Sequence, residues 1–328
     1  MAMRNIHLPL WIGDPGLPRP NTFAVLYSLI VLPRSLLVTV IPLQANDLLG
    51  DAQRVSVLYF AVSLAGLCGS LSIPWLVHRL RRRWVFSLGA VSMVAAAGLL
   101  ANQTVPALVV GMVAQVFAIA SLEITLSLYI LDHIPHRDIT WFEPRRVFMT
   151  AGVFALGPWV GVKLQSSVAG WAPFAASAVA AVAVLGWFWY LRLTDNKAVA
   201  PMKRPPPQPL KYVRRFFAQP RLRLSWVLAT ARSGWWSMFF IYAPIYAVNS
   251  GLGPEVGGAL VSIGFASLFA VPLWAGVGRR YGIRRLLIGG YALGGIATMA
   301  VAVVAVLAGA GAPRAVLLIS DGYENRDP

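Results

Sequence analysis

Long apolar runs separated by short polar or basic turns make up most of the chain. The first covers residues 22–43 and contains Pro33. Further runs lie at 55–77, 84–101, 106–131, 147–165 and 172–191, then, after a polar segment at 194–223, at 224–248, 256–277 and 286–307. Each approaches or exceeds the ~18 residues that suffice to cross the hydrocarbon of a bilayer. This pattern predicts an all-α, polytopic membrane protein with about nine transmembrane helices. It divides into an N-terminal leader (1–21), a six-helix bundle (22–193), a linker (194–223) and a shorter second bundle (224–328). The prolines of PMKRPPPQP prevent a continuous helix in the linker. The following KYVRRFF is expected as a short amphipathic helix on the membrane surface.

Composition strengthens this reading. The 328 residues are 58% hydrophobic and 12% charged, where a soluble domain carries about 25% charged residues. A net charge of +16 would suit a nucleic-acid ligand if it formed one face. Instead, most lysines and arginines fall in alternate turns, which the positive-inside rule assigns to the cytoplasm together with the N-terminus. An anionic lipid surface accounts for that charge, and no nucleic-acid partner is expected. The only cysteine, Cys68, sits in an apolar run and supports neither a disulfide framework nor a cysteine-rich metal site. Pro9, Pro15, Pro18 and Pro20 precede the first run without a basic n-region, so that run is expected to stay as a helix.

A charge inside a span is costly and usually faces protein or an aqueous cavity. Arg34 lies just after Pro33 in the first run, and Glu123 in the fourth. They could form a structural pair, or share a substrate and a proton. Arg232, with Trp236, Phe239 and Tyr246 at helical spacing, could receive an anion or an amphipathic molecule, or could snorkel to the surface. Lys163 reads as a snorkelling end-of-helix lysine, and Gln115 as a polar group lining a cavity or bonding between helices. His7, His78, His133 and His136 do not make a metal set. No phosphate-binding loop and no nucleophile–base set appear, so neither a cofactor nor enzymatic activity is expected.

Four arginines crowd the turn PWLVHRLRRR, and a similar turn, PLWAGVGRRYGIRR, returns in the second half. Six helices, a basic linker and a second set opening in the same way resemble the major facilitator superfamily. That family's turn between helices 2 and 3 reads G-x-L-x-D-R-x-G-R-R in outline. Leu76, Arg79, Arg82 and Arg83 match it, whereas Pro74, His78 and Arg81 depart. The echo retains Arg280, Gly282 and Arg284. In the family the acid helps latch the turn to neighbouring helix ends. With His78 in its place, the turn could latch through hydrogen bonds and helix dipoles, or only set topology. Gly152, Gly157, Pro158 and Gly161 are similar to the antiporter-associated helix 5 pattern G-x-x-x-G-P-x-x-G-G, which allows close packing and a bend. The arginine that opens the family's helix 4 motif is absent from GMVAQVFAIA.

The resemblance implies secondary active transport of a small organic solute by alternating access, with proton-coupled efflux as one form. It also implies a cavity lined by helices 1, 4, 7 and 10, and a location in the bacterial inner membrane. The partners expected are lipid, an unidentified solute and protons. Six helices followed by three suggest a C-terminally truncated member. A non-transporting assembly or sensor protein, or an inactive truncated product, is the alternative.

Overall fold

The computed structural model describes residues 20–134, 136–191 and 209–311. Nearly all of the leader, the linker as far as residue 208, and everything after residue 311 lie outside the described residues. Among those described, the regular structure is helical throughout. The described residues divide at Phe269/Ala270 into two compact units.

The first unit begins with α1 (Pro20–Leu37) and α2 (Val40–Leu49). The first apolar run therefore breaks at Val38–Thr39, five residues beyond Pro33. Pro42 explains the break: it has no N–H for the carbonyl of Val38, and its ring crowds that carbonyl. Gly50 closes α2 in the left-handed region, and its N–H donates to the Asn46 carbonyl at 2.8 Å. Asp51 then caps α3 (Ala52–Leu80) by accepting from the Gln53 N–H at 3.0 Å.

Next come α4 (Arg82–Leu100), α5 (Val105–His133), α6 (His136–Ser167) and α7 (Ala172–Tyr190). The stretch DHIPHRDITWFEPRR, which connects the fourth and fifth apolar runs, is helical from His136 onward. Ile134, which precedes a proline in the sequence, is extended (φ −105°, ψ 120°), as the residue before proline favours. The mixed charges downstream suit a helix because Glu143 and Arg146 pair three residues apart.

After α8 (Pro209–Ala218), the expected amphipathic helix, come α9 (Pro220–Asn249) and α10 (Pro254–Ala266). The second unit holds α11 (Val271–Tyr281) and α12 (Ile283–Gly311). The eighth apolar run is thus not one α-helix. Ser267–Ala270 tightens into a 3-10 turn, where Pro272 leaves the Leu268 carbonyl without its helical partner.

Among the described residues, seven helical runs are long and apolar enough to cross a membrane: Thr22–Leu49, Ala52–Leu80, Arg82–Leu100, Val105–Asp132, Trp141–Ser167, Ala172–Tyr190 and Pro254–Tyr281. The long helices α9 and α12 are not in this set. Phe60, Leu64, Leu67 and Leu71 form an exposed apolar stripe along α3, the surface expected where lipid is the solvent.

Inside the first unit, the two largest apolar clusters among the described residues occupy successive levels. One gathers Phe23, Leu26, Phe86, Leu126, Phe154, Phe188 and Phe265. The other gathers Leu37, Val40, Leu58, Leu100, Leu108, Val162 and Phe174. Along α1, the buried members of the first end at Val31 and those of the second begin at Leu37. Arg34 lies between them.

Close approach of α1 to α6 relies on glycine. A Cβ at Gly161 would run into the carbonyl oxygen of Leu36, and one at Gly157 would stand 2.7 Å from the Ser35 Cβ. The helix 5 pattern singled out in the sequence is therefore a packing surface against α1. Pro158 adds to it on another side, where its carbonyl oxygen lies 3.3 Å from a Cβ built on Gly258 of α10.

Candidate functional site

Arg34 and Glu123 meet. The Arg34 Nη1 donates to Glu123 Oε1 at 2.8 Å, joining α1 to α5, with side chains 27% and 32% exposed. Of the expected site residues, these two come together most directly. The Tyr27 hydroxyl, one heptad before Arg34 on the same stripe of α1, donates to the same carboxylate oxygen at 3.4 Å.

From α6, two side chains complete the group in a crossed arrangement. The Arg146 guanidinium lies 4.0 Å from the centre of the Tyr27 ring. The Arg34 guanidinium lies 5.1 Å from the centre of the Phe154 ring. Each helix thus offers a cation to the other's aromatic face. Arg146 is held in turn by Glu143 Oε2, at 3.0 Å from Nε and 2.6 Å from Nη2. Two guanidinium groups and two carboxylates balance one another within this group.

Aromatic rings extend from Phe154. Phe265 stacks on it with centroids 4.4 Å apart, Phe240 stacks on Phe265 at 4.1 Å, and Trp236 lies 4.9 Å from Phe240. Trp236 therefore joins this ring cluster. Phe239 joins it as well, edge-to-face with Phe240 at 5.4 Å, and stacks on Trp235 at 5.9 Å. Arg232 is exposed on α9 and makes no contact with the ion-paired group among the described residues. Gln115 is buried on α5, about two turns from Glu123.

The basic turn has a partner that its own residues do not reveal. Arg82 pairs with Asp132 at the end of α5, and its guanidinium lies 5.8 Å from the centre of the Tyr129 ring. An arginine–aspartate contact is therefore present although His78 replaces the family's acid. The carboxylate comes from another helix, and His78 itself is exposed. Arg79 and Arg83 lie over Trp75 and Trp84, at 5.5 and 5.7 Å from the ring centres.

Arg81, the whole connection between α3 and α4, has φ 65° and ψ 150°. Gly282 has φ 88° and ψ 143° at the corresponding position of the echo. Both are backbone conformations that favour glycine. Arg280 and Arg284 flank Gly282, Arg280 lying over Tyr281 at 5.4 Å.

Lys163 does not extend alone toward the surface. Its Nζ lies 3.0 Å from Glu255 Oε1, which also accepts from Ser166 Oγ at 3.0 Å, joining the end of α6 to the start of α10. Deeper along the same contact, the Trp159 N–H donates to Ser262 Oγ at 3.1 Å. The hydroxyls of Ser56 and Tyr242 share a 2.5 Å hydrogen bond between α3 and α9.

Helical runs of spanning length, with an ion pair between two apolar clusters, define a multi-pass integral membrane protein. Residues 23–322 match the Major Facilitator Superfamily model, and the chain belongs to that family. It is, in general terms, a membrane transporter. No curated protein and no solved structure matches the chain.

Proposed function

We propose that this protein is a secondary active transporter of a small organic solute, working by alternating access, with Arg34 and Glu123 at the solute and coupling-ion site. The observation that carries this reading is the 2.8 Å ion pair between two spanning helices, at side chains that keep partial access. An ion pair that served structure alone could be replaced by packed apolar groups at little loss. A partly open pair beside aromatic rings can exchange partners, as a transport site requires.

In this reading Glu123 takes up and releases the coupling proton. Trp236 and the rings around Phe265 bound the solute, and Gln115 supplies a polar group within α5. Arg232 and Phe239 belong to the wall offered by α9. The contacts at Lys163–Glu255 and Ser56–Tyr242 close one end of the helix assembly and separate when the site turns to the other side. The Arg79, Arg82 and Arg83 turn holds the opposite end, and the Arg280–Gly282–Arg284 echo has the corresponding gating role within its own unit. Small residues at Gly157 and Gly161, with Pro158 beside them, provide the surface on which α6 rocks.

By the positive-inside rule, both basic turns and the N-terminus belong to the cytoplasmic side of a bacterial inner membrane. Nine spans result when α9 and α12 are counted with the seven apolar runs.

The test is uptake of a labelled solute panel by proteoliposomes under an imposed proton gradient. Glu123→Gln is expected to abolish gradient-driven accumulation of whichever solute the unmodified protein carries. Unchanged accumulation and pH dependence would remove Glu123 from the coupling role.

A further inference from the structure

The chemistry around Arg34 bears on what the solute is, provided that the pair is the transport site proposed above. Arginine stays protonated in proteins, whereas a carboxylate can be neutralised by a proton. Separating Arg34 from Glu123 therefore has an unequal outcome. A cationic solute drawn to Glu123 would leave the guanidinium unpaired between two apolar clusters, a costly state. An anionic solute at Arg34, with a proton on Glu123, leaves no bare charge.

Donor capacity agrees. A guanidinium carries five N–H donors in a planar fork, and the Arg34–Glu123 contact is made through Nη1 alone. The remaining edge suits the two oxygens of a carboxylate.

The other groups facing Glu123 do not change this balance. Tyr27 comes from α1, and Arg146 and Glu143, already paired, come from α6. α4 brings only Arg82 and Arg83, in its first turn, and α2 only Asp47. α3 brings Tyr59 and Cys68, with Arg54, His78 and Arg79 in its end turns. The rings of Phe154, Phe265 and Phe240, stacked at 4.4 and 4.1 Å, begin directly beside the guanidinium. A planar apolar body can extend that stack.

We infer that the site takes an aromatic carboxylate together with one proton. The carboxylate replaces Glu123 on Arg34, the displaced Glu123 oxygen receives the proton, and the two move in the same direction.

The test uses the purified full chain, titrated calorimetrically with benzoate, 1-naphthoate, benzylammonium and benzyl alcohol. Each titration is run in two buffers that differ in ionisation heat, which reports protons taken up. Saturable binding of an aromatic carboxylate with uptake of about one proton is expected, and Arg34→Gln should weaken it at least about ten-fold. Glu123→Gln should retain carboxylate binding but lose the proton uptake. Because a single substitution can impair folding, the neutral double variant R34Q/E123Q is the second arm, expected to fold and to bind neither carboxylate.

Tighter binding of benzylammonium, carboxylate binding that survives in the double variant, or no carboxylate binding at all would overturn the inference. Benzylammonium binding that depends on Glu123 would leave the site standing and change only its solute class. If no probe responds to either substitution, and no solute in the uptake panel does, the site itself fails as well.

Discussion

Two of the ion pairs that join helices of the first unit have sharply different surroundings. Arg34–Glu123 lies between two apolar clusters, flanked by aromatic faces, with 27% and 32% of the side chains exposed. Lys163–Glu255 lies at helix ends, with 47% and 46% exposed. Both have ordinary lengths, 2.8 and 3.0 Å. What separates them is the state left behind when one partner goes. At the first, a bare charge remains among apolar side chains. At the second, water and headgroups replace the lost partner. The same kind of contact is therefore costly to break in one place and an adjustable fastening in the other.

The largest expected effect tests that contrast at the inner pair. Arg34→Gln or Glu123→Gln alone should lower stability by ~2–3 kcal/mol, somewhat below the value for a fully buried pair because both groups keep partial access. Replacing both should recover most of that loss, since no unpaired charge remains. Thermal unfolding of the four proteins in detergent gives the coupling directly. Additive losses would mean that the pair is screened like a surface contact.

Arg82–Asp132 should fall next. Its arginine is only 13% exposed, so Asp132→Asn is expected to destabilise by ~1–2 kcal/mol. The swapped variant R82D/D132R should restore part of that stability, and failure to do so would assign the effect to the aromatic contact with Tyr129.

The two basic turns provide a backbone counterpart. Gly282→Ala should cost ~1 kcal/mol, because alanine rarely adopts φ 88°. Arg81→Gly should gain a similar amount by relieving φ 65°. Opposite signs at equivalent positions, read by unfolding, would establish the structural echo, and equal signs would break it. Smallest of all, Glu255→Gln should leave stability within error of the unmodified protein, while shifting exchange between conformations as followed by distance measurements across α6 and α10.

The sequence already marks Arg34 and Glu123, because a charge in an apolar run is conspicuous and costly. Their neighbours are less visible. Tyr27 is one aromatic among many apolar residues. Arg146 falls outside the fifth run when that run is started at Val147, although Glu143 three residues earlier is a helical pairing signal. Asp132 and Glu255 sit at helix ends, where charges are ordinary, so only packing reveals their partners. Helix existence is legible from apolar length, but the breaks depend on a less local effect. Pro42 and Pro272 act on carbonyls four residues upstream, which moves the interruptions to Val38–Thr39 and Ser267–Ala270. The glycines of the helix 5 pattern stand out as small residues, yet their neighbours Ser35 and Leu36 emerge only from the crossing of α1 and α6.

The most direct test is gradient-driven solute accumulation by proteoliposomes carrying R34Q/E123Q. This variant separates transport from folding because it removes both charges together. The expected result is a folded protein with near-normal unfolding behaviour and no accumulation. Accumulation at the rate of the unmodified protein would contradict the assignment of Arg34 and Glu123 to the transport site.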